Sequence, residues 1–283
     1  MRELLVGCVI AIAAATATAD PAPCADGDTC YARAKALEPR DPAAAFATYD
    51  RGCQLHHAMS CVGAAYLVRG DKLGKPDPDR AQQYFVMACG KKFEMPLACA
   101  MVALNLLRDV GGTGDHAKNI ELATYALIKS CEGGSGFGCY NLGVIARDGV
   151  GMPADPKRAY VTFERACAAG EALGCREQGI ALSSGSGAAR DPTRAIALFE
   201  QACTAEPVTC YDLAHAYDKG IGVKADAPRA RTLYAKACDG GEPVACYALA
   251  LMIAGGRGGP QDDAAAHAWL AKACAGGLAR ACN

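Results

Sequence analysis

Cysteine is the residue type in this chain whose number and spacing could do chemistry. There are 17 cysteines, and all but Cys8 fall into neighbouring couples: Cys24/Cys30, Cys53/Cys61, Cys89/Cys99, Cys131/Cys139, Cys167/Cys175, Cys203/Cys210, Cys238/Cys246 and Cys274/Cys282. A zinc site favours C-x-x-C spacing and closely clustered ligands, and so does a redox-active dithiol. Neither spacing occurs, so no metal ligand or cofactor is assigned. Two antiparallel helix ends joined by a short turn can instead bring Cα atoms within disulfide reach. On the chain-entropy estimate, a closed loop of about nine residues gains roughly 2.6 kcal/mol from such a bond.

The other reactive side chains form no constellation. The five histidines, His56, His57, His116, His215 and His267, are dispersed, with no H-E-x-x-H or H-x-H. His56-His57 falls in an inter-helix turn, where a solvated pair is the simpler reading. Ser183, Ser184 and Ser186 stand at a helix end and connector, where turn chemistry accounts for them. No Ser-x-x-Lys places a nucleophile beside its base.

The elements around the cysteines repeat. Five intervals from a second cysteine to the next first cysteine are 28 residues, the mark of stacked repeats. Eight residues before each first cysteine from Cys53 onward stands alanine: Ala45, Ala81, Ala123, Ala159, Ala195, Ala230 and Ala266. Four before it is a large apolar residue: Tyr49, Phe85, Leu127, Phe163, Phe199, Tyr234 and Leu270. These positions share one helical face. Four residues after each second cysteine is a small residue: Ala65, Ala103, Gly143, Gly179, Ala214 and Ala250. Glycine inside a helix costs about 1 kcal/mol, so Gly143 and Gly179 point to close helix contact. Between the helices run connectors such as Asp148-Gly149-Val150-Gly151-Met152-Pro153-Ala154-Asp155-Pro156. There glycine ends one helix, and Asp followed by Pro starts the next. The glycine pairs lack the preceding strand and following lysine of a phosphate loop.

The ends and the composition bound the setting. Residues 1–19 read as a secretory leader, with apolar Leu4 to Ala15 and an Ala17-Thr18-Ala19 site. Leu5-Val6-Gly7-Cys8 resembles a lipobox, but too little apolar chain precedes Cys8, which favours plain secretion over lipoprotein anchoring. The 16 cysteines left after Cys8 form an even set, as in an oxidising compartment. No later segment reaches the ~20 apolar residues of a spanning helix. Lys+Arg 29 against Asp+Glu 30 gives no nucleic-acid or anionic-membrane footprint.

The segment Gly138-Cys139-Tyr140-Asn141-Leu142-Gly143, the Gly149-Val150-Gly151 connector, Asp155-Pro156-Lys157-Arg158-Ala159 and the run Tyr160 to Cys167 resemble the Sel1-like repeat, a helix-turn-helix relative of the tetratricopeptide repeat. The paired cysteines make the chain similar to the secreted Helicobacter cysteine-rich subfamily. The expected fold is an all-α solenoid (an α/α superhelix) over 20–283, of about seven disulfide-stapled helix-turn-helix repeats. The approximate repeats are 24–53, 54–89, 90–131, 132–167, 168–203, 204–238 and 239–274, with a C-terminal half-unit at 275–283. Two places depart from the pattern: the short interval from Cys30 to Cys53, and the longer one from Cys99 to Cys131 with its irregular Gly111-Gly112-Thr113-Gly114 connector.

The resemblance implies an exported scaffold whose first helices line an inner face. Candidate contacts there are Tyr140, Asn141, Arg147, Tyr211, Asp212, His215 and Tyr247, and the implied partner is a protein or peptide, or a cell-wall fragment. The cysteine-rich subfamily is also associated with binding and hydrolysis of β-lactams, so a β-lactamase-like activity is the alternative. No catalytic residue transfers, because no matching motif is present. The mitochondrial intermembrane space is a third setting, but the apolar leader, poor in Arg and Ser, argues for a bacterial secretory route to the periplasm or beyond.

Overall fold

The computed structural model describes residues 24–90, 95–108 and 114–282. The expected leader, including Cys8, lies outside the described residues, as does Gly111-Gly112-Thr113 of the irregular connector. Among the described residues the chain is all helix and turn, with no strand.

The helices form consecutive hairpins: α1 (Gly27–Leu37) with α2 (Pro42–Gln54), α3 (Ala58–Arg69) with α4 (Pro78–Cys89), α5 (Pro96–Leu106) with α6 (His116–Glu132), and α7 (Gly136–Asp148) with α8 (Pro156–Ala168). Then come α9 (Ala172–Ser184) with α10 (Pro192–Ala205), α11 (Cys210–Lys219) with α12 (Ala227–Asp239), and α13 (Pro243–Ala254) with α14 (Asp263–Ala275). Each helix packs on its sequence neighbours, and among the first helices α1 also touches α3, α5 touches α7, and α7 touches α9. This is the expected solenoid. The C-terminal half-unit contributes a single 3-10 turn, Ala279–Ala281.

The sequence specifies the stack in three places. The first is the start of each second helix. Asp41, Asp77, Asp115, Asp155, Asp191, Asp226 and Asp262 cap α2, α4, α6, α8, α10, α12 and α14, each accepting from the backbone N–H three residues on. Such caps contribute about 1 kcal/mol each. The same aspartates donate their own N–H back to the first helix: Asp155 to the Ala146 carbonyl, Asp191 to Leu182 and Asp226 to Tyr217, at 2.8, 2.8 and 2.9 Å. In the connectors, a side chain at Gly187 would collide with the Pro156 carbonyl, and one at Gly222 with the Pro192 carbonyl. These glycines seat each connector on the N-terminus of the preceding hairpin's second helix.

The second place is the packing face. The alanines eight residues before the first cysteines and the aromatic or Leu residues four before are buried, apart from Leu270, which is partly buried. Opposite them, a Cβ placed on Gly143 would lie 2.5 Å from the Phe163 ring, and one on Gly179 would lie 2.6 Å from Phe199. The close approach inferred from these glycines is real.

The third place is the short turn from one hairpin to the next. Glu171 N–H donates to the Ala166 carbonyl and Glu242 N–H to Ala237, both at 3.0 Å, around Gly170 and Gly241 in the left-handed region. His56 takes the equivalent slot between α2 and α3, with φ 65°. Its neighbour His57 is half-buried rather than solvated. Its Nδ1 accepts from Ser60 N–H at 3.2 Å, capping α3, and its Nε2 lies 3.2 Å from Asp28.

Disulfides close these turns. Cys53 is bonded to Cys61, Cys89 to Cys99, Cys131 to Cys139, Cys167 to Cys175, Cys203 to Cys210, and Cys238 to Cys246. Cys24 is bonded to Cys30 at the start of the array and Cys274 to Cys282 at its end. Over all eight bonds the Cα–Cα distances run from 4.4 to 5.2 Å. The geometry refines what a staple joins. Cys61 lies in the first turn of α3 and Cys246 in the first turn of α13, both buried, whereas their partners Cys53 and Cys238 end α2 and α12. These bonds therefore fasten one hairpin to the next rather than the two helices of one hairpin to each other. The reason is reach: the long connector within a hairpin leaves no cysteine at either of its ends, while the short turn brings two helix termini together. Such fastening matters because each hairpin rests only on its neighbours.

Candidate interaction surface

The register of the first helices decides what they present. The residue after each second cysteine is Tyr140 on α7, Arg176 on α9, Tyr211 on α11 and Tyr247 on α13. One further on stand Asn141, Glu177, Asp212 and Ala248. Five residues after the cysteine stand Val144, Ile180, His215 and Leu251. Together they form a stripe, largely half-buried, that crosses four successive first helices.

Ion pairs tie this stripe from one hairpin to the next. Arg147 on α7 reaches Glu177 on α9 at 2.7 Å and also chelates Asp148. Arg176 on α9 reaches Asp212 on α11 at 2.5 Å and lies 3.7 Å from Glu177. Asp218 at the end of α11, its side chain 5% exposed, holds Arg257 beyond α13. The Asp148 hydrogen bond and the Glu177 charge raise Arg147 above the usual guanidinium value, and the same hydrogen bond lowers Asp148. Burial alone would lower Arg176, but Asp212 and Glu177 outweigh it and the net shift is upward. The arginines and Asp148 therefore stay charged at neutral pH.

The tyrosines sit within this frame. Tyr140 lies against Phe163 with centroids 6.1 Å apart, and Tyr211 lies between His215 and Tyr234 at 6.3 and 5.6 Å. Arg280 covers the Tyr247 ring at 4.7 Å. Burial, with Glu177 and Asp212 respectively adding to it, raises the Tyr140 and Tyr211 phenols. Asn141 donates to its own helix, at the Phe137 carbonyl. A cleft of about 200 Å³ opens between α9 and α11, lined by Ile180, Ser183, Ser184, Asp212 and His215.

The structure thus brings Arg147 and Asp212 into one network, joins Tyr211 to His215, and leaves Tyr247 at its far end. The two links that sequence reasoning missed are Arg176 and Glu177. They hold the same register positions as Tyr140/Tyr211/Tyr247 and Asn141/Asp212, so alignment on the cysteines would have marked them. Among the described residues, no group of three or more His, Cys, Asp or Glu could hold a metal. No described helix is long and apolar enough to cross a membrane.

The family model described as the Sel1 repeat matches residues 58–91, 136–171, 173–206, 207–242 and 243–278, together more than half of the chain. The chain belongs to the Sel1 repeat family. The matches pass over the two hairpins whose spacing departs from the pattern, α1–α2 and α5–α6.

The chain is similar to several solved structures, and two of them share its fold with TM-scores above 0.6. One is c5321, a protective antigen of uropathogenic Escherichia coli strains displaying an SLR fold. It is 22% identical with a TM-score of 0.71, covering 83% of this chain and 50% of its own. The chain thus spans about half the length of that structure. A Sel1 repeat protein from Oxalobacter formigenes is 22% identical with a TM-score of 0.64, covering 71% of this chain and 79% of its own. Helicobacter pylori cysteine rich protein B is 27% identical over 48% of this chain and 93% of its own, with a TM-score of 0.37. No curated protein matches the chain.

Proposed function

We propose that this Sel1 repeat protein is an exported scaffold that holds a protein or peptide segment along the concave face expected for its first helices. The observation that carries the reading is the stripe from Tyr140 to Leu251. Its tyrosines recur at one register position, and its charges are cross-tied before any partner arrives. Side chains held in place lose little freedom on binding, which lowers the cost of association. Tyr and Arg are the residues that most often anchor interfaces. Eight disulfides support an oxidising compartment, hence the periplasm or outside the cell.

The β-lactam reading gains nothing from the geometry. Ser184 turns its hydroxyl into its own helix, donating to the Ile180 carbonyl at 2.8 Å. Asp212, beside His215 in the same cleft, is engaged by Arg176.

The test is photo-crosslinking in the native cell envelope, with the reactive group at position 211 or 247 and, as control, at exposed Thr232 on α12. The expected result is one discrete adduct from the first-helix positions that position 232 does not give. Paired Tyr211→Ala and Arg176→Ala substitutions should weaken the captured partner at least tenfold while helicity is retained. Equal adducts from all three positions, or unchanged affinity in the double variant, would overturn the reading.

A further inference from the structure

The second helices carry a ladder of their own. An acid three residues before one first cysteine faces an Arg nine residues before the next. Glu164 on α8 pairs with Arg194 on α10 at 3.6 Å, and Glu200 on α10 pairs with Arg229 on α12 at 3.1 Å. Asp50 on α2 and Arg80 on α4 hold the same register, with Asp50 also accepting from the Tyr84 hydroxyl at 2.6 Å. Where the acid is missing, the arginine usually goes with it: Val86 faces Leu122 in register, and Ala235 faces Ala265. One step breaks this rule. Between α6 and α8 the acid position is Ile128, yet Arg158 remains.

Arg158 reaches only the Met152 sulfur, at 3.7 Å, and among the described residues it has no carboxylate partner. At this step the ladder opens into a groove of about 430 Å³, within the ~300–1,000 Å³ typical of ligand pockets. Its floor is Ile128, Leu142 and Val161, the last 48% exposed, and its rim carries Lys157, Arg158 and Arg165. The one acid at the rim, Glu132, is already paired with Lys129 at 3.0 Å. Elsewhere on α6, Leu122 and Tyr125 are also exposed.

We propose that the α6–α8 groove is a second docking site, occupied by a partner peptide segment that carries an Asp or Glu beside an aliphatic or aromatic side chain. Its carboxylate supplies the rung that Ile128 removed, pairing with Arg158 between Lys157 and Arg165, while its apolar neighbour covers Ile128 and Val161. Such a site differs from the first-helix stripe in both place and chemistry.

The test uses a displayed random-peptide library selected on the full, disulfide-intact protein. Enriched peptides should combine an acid with Leu, Ile or Phe, and should lose affinity as salt rises. Ile128→Glu restores the missing rung and Arg158→Glu reverses the cation. Each should weaken the selected peptide at least about tenfold, the loss expected for one charge-assisted hydrogen bond. Arg194→Glu, in a step already bridged, and Tyr211→Ala, on the other face, should leave it within about twofold. All four positions are at least partly exposed, and matching thermal midpoints would show that the variants fold. Absence of enrichment, enriched peptides without acids, or full binding by Ile128→Glu and Arg158→Glu would each overturn the proposal. So would concentration-dependent dimerisation abolished by Ile128→Glu, which would make the occupant a second copy of this chain.

Discussion

Replacing Gly179 with alanine sets two opposed effects of similar size against each other. Alanine favours the helix over glycine by about 1 kcal/mol. The new methyl, however, would lie 2.6 Å from the Phe199 ring edge, with two more ring atoms at 2.8 and 3.2 Å. Phe199 is 5% exposed, and the ring must shift by roughly 1 Å to restore ordinary contact near ~3.5–4.0 Å. Overpacking of this kind costs about 1–3 kcal/mol. The clash therefore wins, with net destabilisation of about 1 kcal/mol. Ala65 occupies the same register against Phe85 in α3–α4, so the fold can seat alanine where the surrounding packing is set for it. Around Gly179 it is set for glycine. Denaturant unfolding with the disulfides intact, followed by helix signal, measures the change. Gly179→Ala together with Phe199→Leu should be less destabilised than the two single variants added, a coupling of about 0.5 kcal/mol or more. If Gly179→Ala is as stable as the parent or more so, or the two changes simply add, glycine there is not a packing device.

Asp191→Ala should cost about 1 kcal/mol by removing the α10 cap, read as a lowered denaturation midpoint, with loss of protection concentrated at the N–H of Arg194 in hydrogen exchange. Strong reductant should lower the thermal midpoint by far more than any chelator, since the staples are disulfides and no described cluster could hold a metal; circular dichroism reads both. Tyr49, through burial and then the Glu38 charge, and Tyr84, through burial and its bond to Asp50, have phenols raised to about 12. The unfolded phenol loses its proton near pH ~10. Their contribution should therefore be intact below about pH 10 and fall away as pH rises towards 12, visible as helix loss in step with tyrosinate absorbance.

What the sequence revealed and what it hid follow from how local each determinant is. A staple depends on two cysteines a turn apart, and a packing face on residues four and eight positions away, so both repeat visibly along the chain. Asp155 and Asp191 announce their caps through the prolines that follow them. The surface needed information across hairpins. Arg176 means little until Asp212, 36 residues on, is laid beside it. Tyr211 and Tyr247 stand out by type, whereas nothing local distinguishes Glu177 from any other helical acid. His57 looked solvated because nothing local announces that Asp28 and Ser60 converge on its ring. The gap at Ile128 shows only when the cross-hairpin rungs on either side are known.

Every short turn of this solenoid is locked by a bond between the two cysteines that flank it, so that successive hairpins are fastened in series. Mass mapping of a non-reduced proteolytic digest tests it most directly. Linked peptides should join Cys24 to Cys30, Cys53 to Cys61, Cys238 to Cys246, Cys274 to Cys282 and every couple between, with no free thiol among them. Free sulfhydryls at these positions, or links between cysteines that flank different turns, would contradict it.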